Sequence, residues 1–473
     1  MRKFKQNQYF SFVVFFIIFL LSAGPCLAAF TADDERKVGK EIYDKLKNNN
    51  FLLQDKRLND YIAKIGLLVL AQGKKAPFDY TFSIFNSSAI NAFATPGGYI
   101  YINAGLISAV ENEAQLAGVI AHEIAHANAR HVASMIKKSR ALNIAALAAI
   151  IAGAFLGGGG EATAAIAAFS VAGASSLSLK YQREHEEEAD RLGIEYLVAA
   201  GYYPEAMVEF LKIIKQHEFL SRSIPSYLRT HPGTDDRIFY LDNLIRSHFP
   251  ENGASNIVDN FIRMQASIRL DTPDLRRREK QLQEAVNKDS ANVDLLYALA
   301  LTHEQLGQMD TSLDLLTKAM ALSPRDADVL EKIGLIHLKT GHAQESRTYL
   351  KKAALQAPDR HEINLELGKA SYALGLFQEA LDAYLKIQDE KLNVPDIDYL
   401  IAMAYGKLNN LGESHYHFGL HFQKELKKDS ALFHFQRALG FFPPESPRAR
   451  AIGESIRNLS ASSPPKPAVP LKP

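Results

Sequence analysis

The pentapeptide His122-Glu123-Ile124-Ala125-His126 sets two imidazoles four residues apart, with a carboxylate beside the first. A helix turns about once in 3.6 residues, so positions four apart share a face and the two rings can close on one metal ion. Glu123 stands about a third of a turn from His122, out of that plane but within reach of a water held by such an ion. It is therefore a candidate general base, and the chemistry implied is activation of water for hydrolysis. A catalytic zinc site takes about three protein ligands, so a third must come from elsewhere in the chain.

The elements that position these groups can be read outward from the motif. Residues Glu113 to Ala121 are rich in helix formers, and Asn112 stands where an N-cap would satisfy the first turn. Further along, Glu184-His185-Glu186-Glu187-Glu188-Ala189-Asp190 is a charge run of the kind that usually forms a solvated helix face. Glu186 and Asp190 are four apart, however, so one carboxylate can bind metal while the other supports a ligand histidine. His185 is the rival ligand in this block. A two-His, one-Glu set that leaves a fourth position for water is the better-known hydrolytic arrangement and favours Glu186. The segment Thr230-His231-Pro232-Gly233 reads as a loop, with Asp235 opening a helix through Ile238, Leu241 and Ile245. Taken alone, His231 is one loop histidine among several.

Before the motif, apolar residues from 30 to 70 recur at three and four and predict two amphipathic helices. Phe78 to Phe85 alternates like a strand, and turn-rich Asn91 to Gly98 leads into Tyr99-Ile100-Tyr101-Ile102, so a short meander is expected. The strand just before the metal-binding helix has two uses: a free edge for an extended peptide, or an ordinary internal strand. After the motif, Leu142 to Leu156 and Ala162 to Leu177 flank Gly157 to Gly160. Neither is a clean span of about 20 residues. They read as buried or flap-forming helices, with peripheral membrane contact through Leu142–Leu177 as the other reading.

A chain of 473 residues is too long for one ordinary core. With 47% hydrophobic and 23% charged residues its bulk is globular, and a net charge of +1 gives no case for nucleic acid. Arg2, Lys3 and Lys5 precede an apolar run from Tyr9 to Leu21, the profile of a secretory signal peptide spanning 1–28 with cleavage after Ala28. Removing those three basic residues and no acidic ones takes the net charge from +1 to −2. The single cysteine, Cys26, leaves with the leader, and Pro25 and Ala23 argue against lipoprotein anchoring there.

The second half repeats. Gly307, Gly341 and Gly375 are spaced by 34, with Asn409 at the next step. Ala300, Gly334, Gly368 and Ala402 follow the same period as small residues, and Leu316, Leu350, Tyr384 and Phe418 as large ones. This is the tetratricopeptide (TPR) pattern, in which helix pairs stack into a superhelix whose concave face commonly binds a partner. His415, His417 and His421 read as surface and core histidines of a TPR helix. The end of the chain is Pro- and Ser-rich and is expected to be disordered over 441–473.

His122 to His126, Glu186 to Asp190, the Asn91 to Gly98 segment and Thr230-His231-Pro232 together resemble the gluzincin peptidases that include HtpX and the CAAX prenyl protease. With leader and array added, the chain resembles the periplasmic, TPR-bearing BepA-type branch of that family. The resemblance implies a mostly α chain: an α+β zincin-like metalloprotease domain with a small β-sheet at 29–250, a linker at 251–275 and an α-helical TPR solenoid at 276–440. It implies one zinc ion per chain on His122, His126 and Glu186, with Glu123 as catalytic base and Asp190 supporting a ligand. It places His231 near the metal, either stabilising the oxyanion or occupying the fourth position. His131, five residues past His126, lacks the glycine of the metzincin pattern and is expected to pack or hydrogen-bond beside the site. The implied activity is a zinc metalloendopeptidase of periplasmic quality control that acts on unfolded or misassembled proteins. Its TPR groove would recruit clients or the outer-membrane assembly machinery. A non-catalytic TPR chaperone is the alternative.

Overall fold

A computed structural model of the chain describes residues 31–138 and 183–461, apart from 72, 74–75, 222–224, 250–251, 259, 269–271 and 390–395. The expected leader (1–28) and the Leu142–Leu177 hairpin lie outside these residues. Among the described residues no helix is long and apolar enough to cross a membrane. The chain divides into two compact units at residues 270 and 271.

In chain order the first unit runs α1 (Ala32–Asn48), α2 (Lys56–Leu70), β1 (Thr81–Phe85), β2 (Ala92–Thr95), β3 (Tyr99–Asn103), α3 (Ala104–Ala109), α4 (Glu113–Asn128) and α5 (His131–Lys138). It continues with α6 (Arg183–Ala199), α7 (Glu205–Ser221), α8 (Ser226–Thr230), α9 (Thr234–His248) and α10 (Phe261–Ser267). The motif helix α4 starts where its cap predicts: the Asn112 side chain accepts the Gln115 N–H at 3.0 Å. It is buried on every side from Glu113 to Ala127, so it forms the centre of the unit rather than one wall. Glu113 ties its first turn to three other segments. Its buried carboxylate accepts from the hydroxyls of Tyr61 (2.6 Å) and Tyr202 (2.7 Å) and from the N–H groups of Ile257 (2.7 Å) and Val258 (2.9 Å). A negative charge at a helix start also suits the macrodipole.

The sheet lies between two helical layers. Ile100 and Ile102 of β3 face the main core with α2 and α4, while Tyr101 faces Val38, Ile42 and Leu46 of α1, as a period of two requires. Its order, β1-β3-β2, is not the expected meander. Gly97 and Gly98, at φ +82° and +87°, close a tight loop that holds β2 antiparallel to β3. β1 then pairs parallel on the other side of β3. The six-residue connection between β1 and β2 can span roughly 20 Å, twice the gap across one intervening strand, so the crossing is easy. The strand that leads to α4 is therefore internal, and β2 holds the edge beside it.

Residues 251–275, expected as linker, contain α10, whose Phe261 joins the first unit's core with Met264 packed against it. The second unit begins with α11 (Thr272–Lys288), followed by helix pairs α12 (Val293–Gln305) and α13 (Met309–Leu322), α14 (Ala327–Lys339) and α15 (Ala343–Gln356), and α16 (His361–Ala373) and α17 (Phe377–Asp389). Two more pairs follow: α18 (Ile397–Lys407) with α19 (Leu411–Lys424), and α20 (Lys428–Leu439) with α21 (Pro447–Ala461). The period is visible in the backbone. Gly307, Gly341 and Gly375 have φ of +79°, +84° and +75°, and Asn409 has +61° in the same turn. The small residues sit at tight crossings, where a methyl added at Gly368 would lie 2.3 Å from the Tyr384 ring. Ser312 and Ser414 fasten their pairs identically, donating to the carbonyls of Ala300 (2.7 Å) and Ala402 (2.8 Å). The expectation of disorder from 441 onward fails over α21, where Ile452 is buried and Ile456 and Leu459 pack beside it. Residues 462–473 lie outside the description.

Candidate metal centre

Three elements converge on the motif. His122, Glu123 and His126 come from α4, Glu186 and Asp190 from α6, and His231 from the C-cap of α8. All six are 0–1% exposed. His122 Nε2 lies 2.9 Å from His126 Nε2, 3.3 Å from His231 Nδ1 and 3.5 Å from Glu186 Oε2. Glu186 Oε1 is 3.3 Å from His126 Nε2 and 3.1 Å from His231 Nδ1. One ligand atom from each of His122, His126, Glu186 and His231 thus falls within 4.8 Å of the others, close enough for one metal ion.

The two carboxylates of α6 divide as their spacing allows. Glu186 enters the cluster, while Asp190 Oδ1 faces His122 Nδ1 at 2.9 Å. A carboxylate accepts, so in the neutral form that metal binding requires His122 would carry its proton on Nδ1, toward Asp190, and turn the Nε2 lone pair inward. His185 is not in the cluster; its ring stacks on His131 at 4.3 Å. The helices themselves approach closely, since a methyl at Gly193 of α6 would lie 3.1 Å from the backbone nitrogen of His122.

Arg237 of α9, which no motif or spacing in the sequence marks, closes the site. Its Nη1 is 2.7 Å from Glu186 Oε2, and its Nε and Nη2 lie 2.8 and 2.7 Å from the two oxygens of Asp190. Tyr240 also donates to Asp190, and Tyr227 stacks on His231 at 4.3 Å. A clue to Arg237 was present: two carboxylates on one buried helix face need a cation, and an arginine stands six residues past His231.

The electrostatics follow from this packing. Burial opposes the charge on Asp190, but Arg237 and the bond from His122 outweigh it and hold its pKa down to about 2. Burial likewise works against charge on His122, yet Asp190 and Glu186 push it up to about 9. Glu186 stays well below the carboxylate range because His231 and Arg237 overcome burial. Burial drives His126 well below the imidazole range and raises Glu123. Neither oxygen of Glu123 accepts a hydrogen bond, although the group is fully buried. A polar atom in that position needs a partner from water or ligand, and a set of inward lone pairs beside it fits a cation with a bound water. A small cleft lined by Thr95, Pro96, Gly97, His126 and Arg130 opens beside the β2–β3 turn and touches the centre at His126.

In the second unit Asp396, His421 and Glu425 also bring ligand atoms within 4.8 Å, but they are exposed or half-buried. His421 turns different nitrogens to the two acids, Nδ1 at 3.8 Å from Asp396 and Nε2 at 3.7 Å from Glu425, which is ion pairing rather than chelation.

Residues 54–245 match the sequence model of Peptidase family M48, and residues 293–326 and 332–391 match tetratricopeptide repeat models. The chain thus has a region similar to family M48 peptidases, followed by a region similar to TPR repeats. It is similar to a putative beta-barrel assembly-enhancing protease of Vibrio cholerae, with 31% identity over 62% of this chain and 61% of the relative. The beta-barrel assembly-enhancing proteases of Yersinia pestis (28% identity, 63% and 62%) and Escherichia coli (32%, 46% and 44%) are also similar. The matches span about three fifths of the first two relatives' length and less than half of the third's.

Proposed function

We propose that this protein is a zinc-dependent endopeptidase of envelope quality control, with His122, His126 and Glu186 as zinc ligands and Glu123 as general base. The observation that carries this reading is the fully buried Glu123 carboxylate without a hydrogen bond, set beside converging His and Glu ligand atoms. Zinc held by these residues would supply a Lewis acid that brings the pKa of water towards about 7 and stabilises developing negative charge. Glu123 takes the proton from the attacking water and returns it to the leaving amine. Burial, which raises its pKa, makes the carboxylate a stronger base than one in water. Asp190 keeps His122 in the tautomer that turns Nε2 inward, and Arg237 keeps both α6 carboxylates charged and in place. His231 has two roles open, oxyanion partner or fourth ligand. Its Nδ1, among the other ligand atoms at 3.1–3.3 Å, supports the second as the resting arrangement.

A substrate strand would approach along the cleft from the β2–β3 turn, where β2 is an edge strand. The names of the relatives support misassembled outer-membrane proteins as clients, and the helical array offers a surface to recruit them or their assembly machinery. The signal-like segment 1–28 supports delivery to the periplasm. Against a chaperone acting by its array alone stands the complete set of ligand and base groups. In the test, Glu123→Gln keeps zinc and loses cleavage of unfolded casein, whereas His122→Ala loses both. Cleavage by Glu123→Gln at the parent rate overturns the reading. Clients retained by that inactive variant in cells identify what the enzyme handles.

A further inference from the structure

His131 belongs to no step of the proposed mechanism, yet it is 3% exposed and directed at a ligand. Arg130 before it adopts a left-handed backbone (φ +56°), which turns the chain sharply between α4 and α5. That turn brings His131 Nδ1 to 2.8 Å from His126 Nδ1, and its Nε2 to 3.1 Å from Glu188 Oε2. The ring is held flat against His185, at 4.3 Å and 18° between planes.

Proton positions along this chain of contacts follow from donor chemistry. The Glu188 carboxylate accepts, so His131 carries its hydrogen on Nε2 and keeps a lone pair on Nδ1. That lone pair can only receive a hydrogen from His126 Nδ1, which leaves the His126 lone pair on Nε2, the atom facing His122 and Glu186. We propose that His131 is a positioning residue which, together with Glu188, fixes the tautomer and ring orientation of His126, as Asp190 does for His122. Each ligand imidazole then has its own anchor, and both anchors trace back to α6, directly for Asp190 and through one ring for Glu188. The inference rests on the assignment of His126 as a ligand.

The test measures zinc affinity of the full chain by competition with a chromophoric chelator, alongside the thermal midpoint of the metal-free protein. His131→Leu is expected to weaken zinc binding roughly ten- to a hundredfold, the usual cost of losing such a partner. His131→Asn, whose Oδ1 can accept where Nδ1 did, recovers most of that loss, which a purely packing role would not produce. A His131→Leu protein that binds zinc within about twofold of the parent overturns the proposal. Should His131→Leu fail to fold, Glu188→Ala at its exposed position decides: weaker binding by about threefold or more supports the relay, and parent affinity overturns it. Because affinity is read without cleavage, a parent that binds zinc but cuts nothing would refute the proposed function and leave this result standing. A parent that binds no zinc overturns both.

Discussion

Replacing Arg237 by alanine is the sharpest perturbation of the centre that leaves every proposed ligand in place. The guanidinium makes three contacts of 2.7–2.8 Å to Glu186 and Asp190, all in a site 0–3% exposed. Removing one partner of a buried ion pair costs about 3–5 kcal/mol, because the remaining charge is left without compensation. Here two carboxylates lose the same cation, so the upper part of that range is expected. At about 2–4 °C per kcal/mol for a unit of this size, the midpoint of the metal-free first unit should fall by about 8–20 °C. Calorimetry can follow this, with the first unit's transition identified as the one that zinc raises. The deficit should depend on pH with a definite sign. Asp190, held at about 2 instead of 3.8, contributes stability that is fully present above 3.8 and is lost as pH falls through about 2. The gap between variant and parent should therefore be widest near neutrality and close between those values. A variant within about 1 °C of the parent at neutral pH, or an equal gap at every pH, would refute the argument.

Other outcomes follow from the two units. In the array, hydrogen bonding from Arg347 holds Glu379 down to about 2 from 4.5, so the transition that zinc leaves unmoved should weaken as pH falls from 4.5 towards 2, and Arg347→Leu should flatten that loss. Gly368→Ala would press a methyl to 2.3 Å from the Tyr384 ring and should lower the same transition by about 1–3 kcal/mol, measured by urea unfolding. Gly307→Ala meets no neighbour within 4 Å but sits at φ +79°, so its cost of about 1 kcal/mol should come from the backbone alone. Chelation of zinc should abolish hydrolysis and lower only the first transition, by about 2.7 kcal/mol where zinc had stood at about a hundredfold its Kd.

The centre was legible wherever its logic is local. Spacing of four on a helix put His122 with His126, and Glu186 with Asp190, on shared faces before any fold was known, and Asn112 marked the start of the motif helix. His231 needed the family resemblance, because a loop histidine carries no periodicity. Arg237 was missed because its partners lie on another helix, and only the demand of two buried carboxylates for a cation pointed to it. Strand order escaped for a different reason: alternation tells which face a residue takes, not which strand lies beside it, so the internal position of Tyr99 to Asn103 could not be read. At the other end, Pro443 and Pro444 drew attention away from Ile452, Ile456 and Leu459, whose spacing of four and three is a helix signal in its own right.

The contact of Gly193 with the backbone of His122 has a consequence for the order of events in the life of the molecule. Because main chain meets main chain there, the distance between the two ligand-bearing helices is set when the chain folds, and an arriving ion has no helices to draw together. Such a centre behaves as a socket and not as a clasp. A side chain at 193 would have to part the two ligand-bearing helices whether or not an ion had arrived.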